Sequence, residues 1–384
     1  MIKALYIHIP FCDSICPYCD FNKRVSNDDT QKEYLEKLKE EIDYNSDSFN
    51  DLETIFIGGG TPTAFNYLEE LLIHLSKYIN LKNIKEFTIE TTIDRALRYK
   101  DIYSKFGVNR ISIGVESFNK RINEYLGRKN NKYLYLKKII KELREVGISN
   151  INLDLIFSLP YSNRYTVKED LLKIEKLNVE HVSFYDLIIE NKTKLSYDLD
   201  NNLIELPDVD ESVKMRDLID KYMPKFGYHQ YEISNWSKDG YESIHNKSYW
   251  ELKEYLGLGL GAHSQVENKR FSNPTSLKTY ALTNSKEEYL SNRVYYEFEK
   301  DKEYFMLGLR LIKGVSLTKY KEEFGIDPLD KFKGINKLID SGLLMIENDY
   351  LHLTKRGRDL GNIVFEEFVW SLRHHLKSLC FISG

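Results

Sequence analysis

Short β-branched runs alternate with longer amphipathic stretches through the first half of this 384-residue chain. Six of these runs have the length and composition of buried strands: Ala4–Ile9, Thr54–Ile57, Phe87–Glu90, Arg110–Gly114, Asn150–Leu155 and His181–Leu187. Strand–helix repetition of this kind favours an α/β fold with a parallel sheet and crossover helices. Six units suggest a partial (β/α)6 TIM-like barrel better than a closed eightfold one. Ligands of such folds bind at the carboxyl ends of the strands.

The stretches between these runs have helical spacing. In Glu33–Asn45 the apolar residues recur at helical intervals, and Thr30 with Glu33 indicates a capping box at the start of the helix. Four further helices are predicted in the first half: Tyr67–Tyr78, Ala96–Phe106, Tyr133–Val146 and Val167–Leu177.

After about residue 200 the alternation fades. Asp208–Phe226 is predicted to be helical, Tyr228–Trp250 is rich in aromatic residues, and Gly257–His263 is predicted to be a flexible turn. Two helices and a hairpin, typical of a small winged-helix-like α+β domain, are predicted at Leu317–Phe324, Gly334–Ser341, Leu343–Glu347 and Tyr350–Leu353. We expect a barrel over residues 1–230, an aromatic segment packed on it over 231–285, and a C-terminal domain over 286–384. His374 and His375, near the end of the chain, are expected to be solvated surface.

Composition limits the class of protein. Hydrophobic residues make up 42% of the chain and the formal net charge is −4, so we expect a soluble globular protein without the basic field that attracts nucleic acid. No stretch approaches the roughly 18 apolar residues of a membrane span, and no signal-peptide pattern precedes the first strand. Four cysteines, three of them crowded together, do not resemble a disulfide framework, and a cytoplasmic location is predicted.

Three cysteines lie close together directly after the first strand: Cys12, Cys16 and Cys19. Three thiolates on one loop can bind three irons of a cubane and leave the fourth iron open to a small molecule. A zinc site that includes His8 is a weaker alternative, because structural zinc sites usually pair two ligand groups roughly a dozen or more residues apart. A redox pair of Cys16 and Cys19 leaves Cys12 unexplained. The fourth cysteine, Cys380, is a poor candidate for a further ligand.

The spacing Cys12-x3-Cys16-x-Tyr18-Cys19 resembles the ligand loop of the radical S-adenosylmethionine (SAM) superfamily. The longer string Tyr6-Ile-His-Ile-Pro-Phe-Cys12 is similar to the branch that contains the oxygen-independent coproporphyrinogen III oxidases (HemN) and a group of heme chaperones. Further matching strings follow in the same order: Gly58-Gly-Gly-Thr-Pro-Thr63, Ile111-Ser-Ile-Gly-Val115, Leu126-Gly-Arg128, Asn152-Leu-Asp154 and Leu159-Pro160. The resemblance covers nearly the whole chain and implies a radical SAM partial barrel with a HemN-like C-terminal domain.

The resemblance also implies a 4Fe–4S cluster on the three cysteines, with SAM bound at the open iron. One electron from such a cluster can cleave SAM to a 5′-deoxyadenosyl radical. The residues that match the family's SAM contacts are Tyr6, Tyr18, Gly59, Gly60, Thr61, Glu90, Glu116, Arg128 and Asp154. Each type has a plainer alternative, since tyrosines fill cores, glycines form tight turns and charged residues form surface ion pairs.

The chain departs from the family pattern at three places. Glu116 stands where family members commonly have an amide, which changes the charge that faces the ligand. Thr91–Asp94 replaces a small residue followed by Asn-Pro, and Ser158 replaces the usual glycine before Leu-Pro. These departures affect the expected SAM site and leave the cluster ligands untouched.

Three features resemble the heme chaperones more than the oxidases. The oxidases have Cys-Gly-Cys at the third ligand, where this chain has Cys19-Asp-Phe, and they begin with an extension, whereas Met1 here nearly abuts the first strand. His245-Asn-Lys-Ser-Tyr249-Trp250 matches the chaperones' His-Asn-x-x-Tyr-Trp string. The resemblance predicts that His245 ligates heme iron beside the flat apolar rings of Tyr249 and Trp250. A structural histidine among core aromatics is the alternative, and His263 is a second, weaker ligand candidate.

We therefore expect a heme chaperone that carries a SAM-ligated 4Fe–4S cluster, binds heme and transfers it to acceptor proteins, membrane-associated ones among them. An electron donor would serve the cluster. The alternative is an oxygen-independent coproporphyrinogen III oxidase of porphyrin biosynthesis, which abstracts hydrogen from propionate side chains before decarboxylation. A cluster-bearing scaffold without turnover is a third class. Coproporphyrinogen III oxidase activity is not expected. Whether the protein catalyses another radical SAM reaction is left open by the sequence.

Overall fold

The computed structural model describes residues 1–128 and 130–369, so the features predicted for His374, His375 and Cys380 lie outside the described residues. The strands are β1 (Ala4–Ile9), β2 (Thr54–Gly59), β3 (Glu86–Thr92), β4 (Arg110–Glu116), β5 (Asn150–Phe157), β6 (His181–Asp186), β7 (His229–Gln230), β8 (Asn235–Ser237), β9 (Tyr255–Leu258), β10 (His263–Val266), β11 (Lys269–Ser272), β12 (Val294–Tyr296), β13 (Val315–Ser316), β14 (Leu344–Glu347) and β15 (Tyr350–Leu353). The α-helices are α1 (Asp28–Asn45), α2 (Leu68–Leu75), α3 (Lys100–Phe106), α4 (Lys120–Leu126), α5 (Tyr133–Glu145), α6 (Arg164–Leu177), α7 (Lys194–Asp200), α8 (Val209–Tyr222), α9 (Ile244–Trp250), α10 (Leu277–Ala281), α11 (Lys286–Ser291), α12 (Lys300–Gly308), α13 (Leu317–Phe324), α14 (Pro328–Lys331), α15 (Gly334–Asp340), α16 (Lys355–Asp359) and α17 (Gly361–Val369).

Strands β1 to β6 lie side by side in chain order and are all parallel. Successive side chains of a strand point to opposite faces, so Leu5, Ile7 and Ile9 of β1 join the main apolar core under the crossover helices. The alternate residues Tyr6 and His8 face the interior of the curved sheet. The predicted α/β fold with a partial barrel is confirmed. β2, β3, β4 and β5 each run two residues past their predicted carboxyl ends, toward the site described below.

Further strands extend this sheet at both edges to a total of twelve strands among the described residues. β9 pairs in parallel with β1, and β8 pairs antiparallel with β6. The predicted turn at Gly257–His263 is shorter than expected and lies between β9 and β10, because Gly257 lies in β9 and His263 begins β10. A Cβ atom on Gly257 would come within 2.1 Å of the carbonyl oxygen of His263, so this glycine permits close approach of two backbones.

A buried carboxylate joins the later strands to the first helix. Glu41 of α1 accepts hydrogen bonds from the backbone N–H of Gly259 (2.9 Å), the side-chain amide of Asn273 (2.7 Å), and the hydroxyls of Tyr280 and Tyr289 (2.6 Å for Tyr289). Four donors compensate for the loss of water around the carboxylate. This helix begins earlier than predicted, since Asn27 caps it by accepting from the N–H of Thr30, and the predicted capping box is wrong.

The C-terminal part has its own antiparallel sheet, in the order β13-β15-β14, and its own apolar core. The predicted pair of helices followed by a hairpin is present as α13, α15, β14 and β15. Arg310 links this part to the barrel, because its guanidinium lies 4.4 Å from the ring of Trp250 and 3.7 Å from Glu232. The three segment boundaries given above stay predictions. Among the helices described, none is long and apolar enough to cross a membrane.

Candidate functional site

A cavity of about 320 Å³ opens at the carboxyl ends of the parallel strands. Its lining includes every predicted cluster and SAM residue except Tyr6: Cys12, Cys16, Tyr18, Cys19, Gly59, Gly60, Thr61, Glu90, Glu116, Arg128 and Asp154. Residues from the loop after β1 and from the ends of β2, β3, β4, β5 and β6 meet there because parallel strands end at one edge of the sheet. We call this space the cofactor cavity.

The loop after β1 presents all three thiols to the cofactor cavity. Cys12, Cys16 and Cys19 are free and half-buried, and burial raises the pKa of each thiol. Among the residues described, no three potential ligand side chains are grouped closely enough to hold one metal ion. Three thiols on one loop fit an iron–sulfur cluster, because each thiolate binds a different iron.

Backbone contacts hold this loop in place. Cys12 donates its N–H to the carbonyl of Arg24 (3.0 Å), and Leu195 donates to the carbonyl of Pro17 (2.8 Å). Lys23, which the sequence did not single out, donates to the carbonyl of Cys19 and lines the cofactor cavity. A basic residue four positions after the third ligand was the only signal that could have indicated it.

Gly59 and Gly60 let the end of β2 approach the cluster loop. A Cβ atom on Gly60 would lie 3.0 Å from the Sγ atom of Cys12 and 2.8 Å from the carbonyl oxygen of Phe11. Gly59 has a φ angle of +109°, and a Cβ atom there would lie 2.4 Å from the His8 ring. Only glycine tolerates both this positive φ angle and the short distance to the His8 ring. This favours a role in the close approach of β2 to its neighbours over a role in an ordinary turn.

Glu90 forms a wall of the cofactor cavity at the end of β3. Its carboxylate accepts the N–H of Gly59 at 2.9 Å, and burial together with the nearby Asp154 raises the pKa of Glu90 to about 8. Asp154 is held differently, since it accepts from the hydroxyl of Ser112 (2.6 Å) and the amide of Asn152 (2.8 Å). The acidic side chains of Glu90 in β3 and Asp154 in β5 thus both line the cofactor cavity.

Glu116 is buried and accepts hydrogen bonds from other side chains of the protein. Its Oε1 atom accepts from Arg128 (2.6 Å) and from the hydroxyl of Tyr18 (3.0 Å), so it ties β4 to the cysteine loop. Glu116 has a φ angle of 58°, in the region that residues other than glycine rarely adopt. The acid that departs from the family pattern therefore forms a buried ion pair with Arg128. Ser158, the other single-residue departure, has a φ angle of 61°, which explains why a glycine suits that position.

Tyr6 lies apart from the cofactor cavity. It lines a second, inner space of about 60 Å³, together with His8, Glu90, His245, Tyr249 and His263. The Nε2 atom of His8 faces the carbonyl of Asn22 at 2.7 Å and therefore donates to it, while burial lowers the pKa of His8 to about 4. The neutral ring accepts from the hydroxyl of Tyr6 at 3.0 Å. Tyr6 thus has a partner within the barrel.

His245 is fully engaged at the opposite end of the barrel from the cysteine loop. Its Nδ1 atom lies 2.7 Å from the hydroxyl of Thr54, and its Nε2 atom lies 2.7 Å from the hydroxyl of Tyr249. The ring stacks on Phe56 at 5.1 Å and is 1% exposed. Burial lowers the pKa of His245 to about 3. Iron ligation by His245 stays a prediction, and it requires one of the two hydroxyls to release the ring.

The helix that carries His245 closes the base of the barrel. Glu86, at the start of β3, accepts from the Ser243 hydroxyl (3.0 Å) and from the N–H groups of Ile244 (2.8 Å) and His245 (3.0 Å), which satisfies the first turn of α9. Trp250 is buried under Arg310, and His263 stacks on Tyr296 at 5.5 Å. The role of Glu86 could not be predicted from the sequence, because a strand pattern carries no information about a helix 159 residues further along the chain.

Comparison with known proteins identifies the family. The radical SAM superfamily profile matches residues 6–174, and the HemN C-terminal domain profile matches residues 299–360. The chain is 36% identical to the heme chaperone HemW of Bacillus subtilis over 97% of this chain and 100% of that protein. It is 34% identical to the heme chaperone HemW of Lactococcus lactis over 96% of this chain and 97% of that protein. Among solved structures it resembles the Escherichia coli coproporphyrinogen III oxidase HemN in fold, with a TM-score of 0.82 and 21% identity over 96% of this chain and 90% of that one. The chain therefore belongs to the HemW family of heme chaperones within the radical SAM superfamily.

Proposed function

We propose that this protein is a heme chaperone that carries a 4Fe–4S cluster and SAM, binds heme as its cargo and transfers it to acceptor proteins. The observation that supports the cofactors is the convergence of three free thiols with Gly59, Gly60, Glu90, Arg128 and Asp154 on one cavity. The names of the relatives support the heme-chaperone role. We place the protein in the cytoplasm, with an electron donor for the cluster and with acceptors at the membrane among its partners.

The residues of the chain have separate tasks in this proposal. Cys12, Cys16 and Cys19 would hold three irons, and the fourth iron would be open to the amino and carboxylate groups of SAM. When bound, the cluster would supply one electron to SAM. Glu90 and Asp154 offer carboxylate oxygens to donors of a bound ligand. A cavity of about 320 Å³ has the volume of a typical small-molecule site.

Charge in the cofactor cavity argues against the oxidase alternative. Eight acidic side chains line the cavity (Asp13, Asp20, Glu90, Asp94, Glu116, Asp154, Asp186 and Glu190), against two cations (Lys23 and Arg128). Asp13 and Asp186 pair with Arg95 and Arg216, and the pKa of about 8 leaves Glu90 mostly protonated at neutral pH, so the other acids set the charge of the cavity. Arg128 already pairs with Glu116 inside the site. Coproporphyrinogen III has four anionic propionates, and carboxylates in a cavity of low dielectric repel such groups. A cationic ligand such as the SAM sulfonium is favoured instead.

Anaerobic reconstitution tests the cluster. We expect about four irons per chain and the absorbance of a 4Fe–4S cluster, both lost in Cys16→Ala. Ser14→Ala is the matched control, because it changes the same loop without removing a ligand, and it should keep the iron. One equivalent of zinc in place of iron in the wild-type protein would contradict the cluster assignment.

A second experiment tests the chaperone against the oxidase. Heme titration of the reconstituted protein should show saturable binding, and apo acceptor proteins should then take up the heme. Incubation with coproporphyrinogen III, SAM and a reductant should yield no protoporphyrinogen. Turnover in that assay, or absence of saturable heme binding, would refute the proposed function.

A further inference from the structure

The base of the barrel offers no space for a heme in this conformation. Both ring nitrogens of His245 are hydrogen-bonded, and the inner space beside it measures about 60 Å³, room for only a few water molecules. A tetrapyrrole is many times larger. The deeper part of the cofactor cavity is assigned to the cluster and SAM in the proposed function. The surface around its mouth is therefore the next place to look for the cargo.

Exposed isoleucines stand on two sides of that mouth. Ile15, at the tip of the cysteine loop, and Ile188, directly after β6, both line the cofactor cavity and are 54% and 57% exposed. Ile189 follows, at 49% exposure. The two segments are joined, because Leu195 at the start of α7 donates its N–H to the carbonyl of Pro17. Large apolar side chains at the mouth of this cavity suit a flat apolar ligand that covers it.

Basic residues follow the isoleucines in the same loop. Lys192 is exposed and forms no ion pair with any residue that the structure describes, and Lys194 pairs with Asp198 on the surface of α7. Residues 187–194 thus run from an apolar stretch at the mouth, past Glu190 in the cavity lining, to two lysines beyond it. Heme has the matching arrangement, with an apolar macrocycle and two anionic propionates on one edge. The acidic lining of the cavity disfavours propionates that point inward.

We propose that heme binds across the mouth of the cofactor cavity, with its macrocycle on Ile15, Ile188 and Ile189 and its propionates toward Lys192. This inference rests on the proposed function and adds the place and chemistry of cargo binding. None of the described residues that line the cavity is a histidine. Apolar contact and charge, without an imidazole ligand from the cavity wall, therefore supply the affinity at this site. It follows that iron-free protoporphyrin IX competes with heme.

The test uses the full-length, cluster-loaded protein and compares heme affinity among surface variants. The double variant Ile188→Asp/Ile189→Asp should weaken heme binding at least tenfold, and Lys192→Glu should weaken it about threefold to tenfold, with the second effect shrinking at high salt. Ile73→Asp and Lys82→Glu are matched controls, because Ile73 is 47% exposed on α2 and Lys82 is exposed after it, both outside the cavity lining. Both controls should bind heme as the wild type does. Iron content and circular dichroism confirm that each variant is folded and loaded.

Each outcome bears on a separate statement. No saturable heme binding by the wild type refutes the proposed function itself. Wild-type affinity in the double variant refutes the mouth site while the proposed function stands. Wild-type affinity together with a failure to pass heme to an acceptor would make the isoleucines an acceptor-docking surface and would also refute the mouth site. Failure of protoporphyrin IX to compete would show that an iron ligand dominates the binding, contrary to the inference.

Discussion

Replacement of His245 by alanine tests whether this residue is a structural element of the closed barrel. The ring joins β2 to α9 through the hydroxyls of Thr54 and Tyr249, each at 2.7 Å. Removal leaves two buried hydroxyls without their partner, which costs about 1–3 kcal/mol for each. Loss of the stacking on Phe56 adds about 0.5–1.5 kcal/mol. We expect the free energy of unfolding to fall by about 3–6 kcal/mol, a large part of the total stability of a typical domain.

Urea denaturation followed by circular dichroism measures this loss. His229→Ala is the matched control, because the His229 side chain is 39% exposed and pairs with Glu242 at 3.0 Å near the surface, and it should cost less than about 1 kcal/mol. In the double variant His245→Ala/Tyr249→Phe the second change should cost less than Tyr249→Phe does alone, because the two groups are partners. A loss below about 1 kcal/mol for His245→Ala would refute the structural role. Under native conditions the folded variant should keep its heme affinity, and loss of heme from folded protein would instead favour iron ligation by His245.

Three further predictions concern stability. Glu41→Gln should lower the free energy of unfolding by about 2–4 kcal/mol, because the new amide meets the donors that now surround the carboxylate; an unchanged denaturation midpoint would contradict this. Burial raises the pKa of Asp170 to about 7, above its value of about 4 in an unfolded chain, so the folded state binds the extra proton and stability should fall as pH rises from about 4 to 7. Asp170→Asn should flatten that slope, and equal slopes in both proteins would refute the assignment. Gly59→Ala should lower the free energy of unfolding more than Gly147→Ala does. Both glycines have positive φ angles (109° and 93°), but only a Cβ atom at Gly59 would contact the His8 ring. Equal losses of stability in urea denaturation would show that the backbone angle alone matters.

The strand pattern allowed much of the fold to be predicted, and the reason is physical. Strands buried on both faces have continuous apolar runs, so β1 and the start of β2 could be placed to the residue. The later edge strands were missed because they are short, and pairing with strands distant in the chain or with one another decides their state. The turn expected at Gly257–His263 is shorter for this reason, since Gly257 is held in β9 by its pairing with β1.

The candidate site could be predicted in part. The cysteines and the glycines follow strands directly, so their position at the carboxyl edge was predictable, and they line one cavity. Contacts between distant residues were not predictable. Tyr6, which is predicted to contact SAM, donates a hydrogen bond to His8, and Glu116, which lines the cavity, also accepts hydrogen bonds from Arg128 and Tyr18.

The sequence by itself determined the family, the parallel barrel and the three thiols on one loop, because each depends on local spacing or on order along the chain. The tertiary structure decided which groups are available. In the folded protein both ring nitrogens of His245 are hydrogen-bonded, to Thr54 and Tyr249. Acidic side chains line the cofactor cavity, and isoleucines are exposed at its mouth. The physical reason is that hydrogen-bond partners and exposure depend on residues far apart in the chain, which only the packed fold brings together.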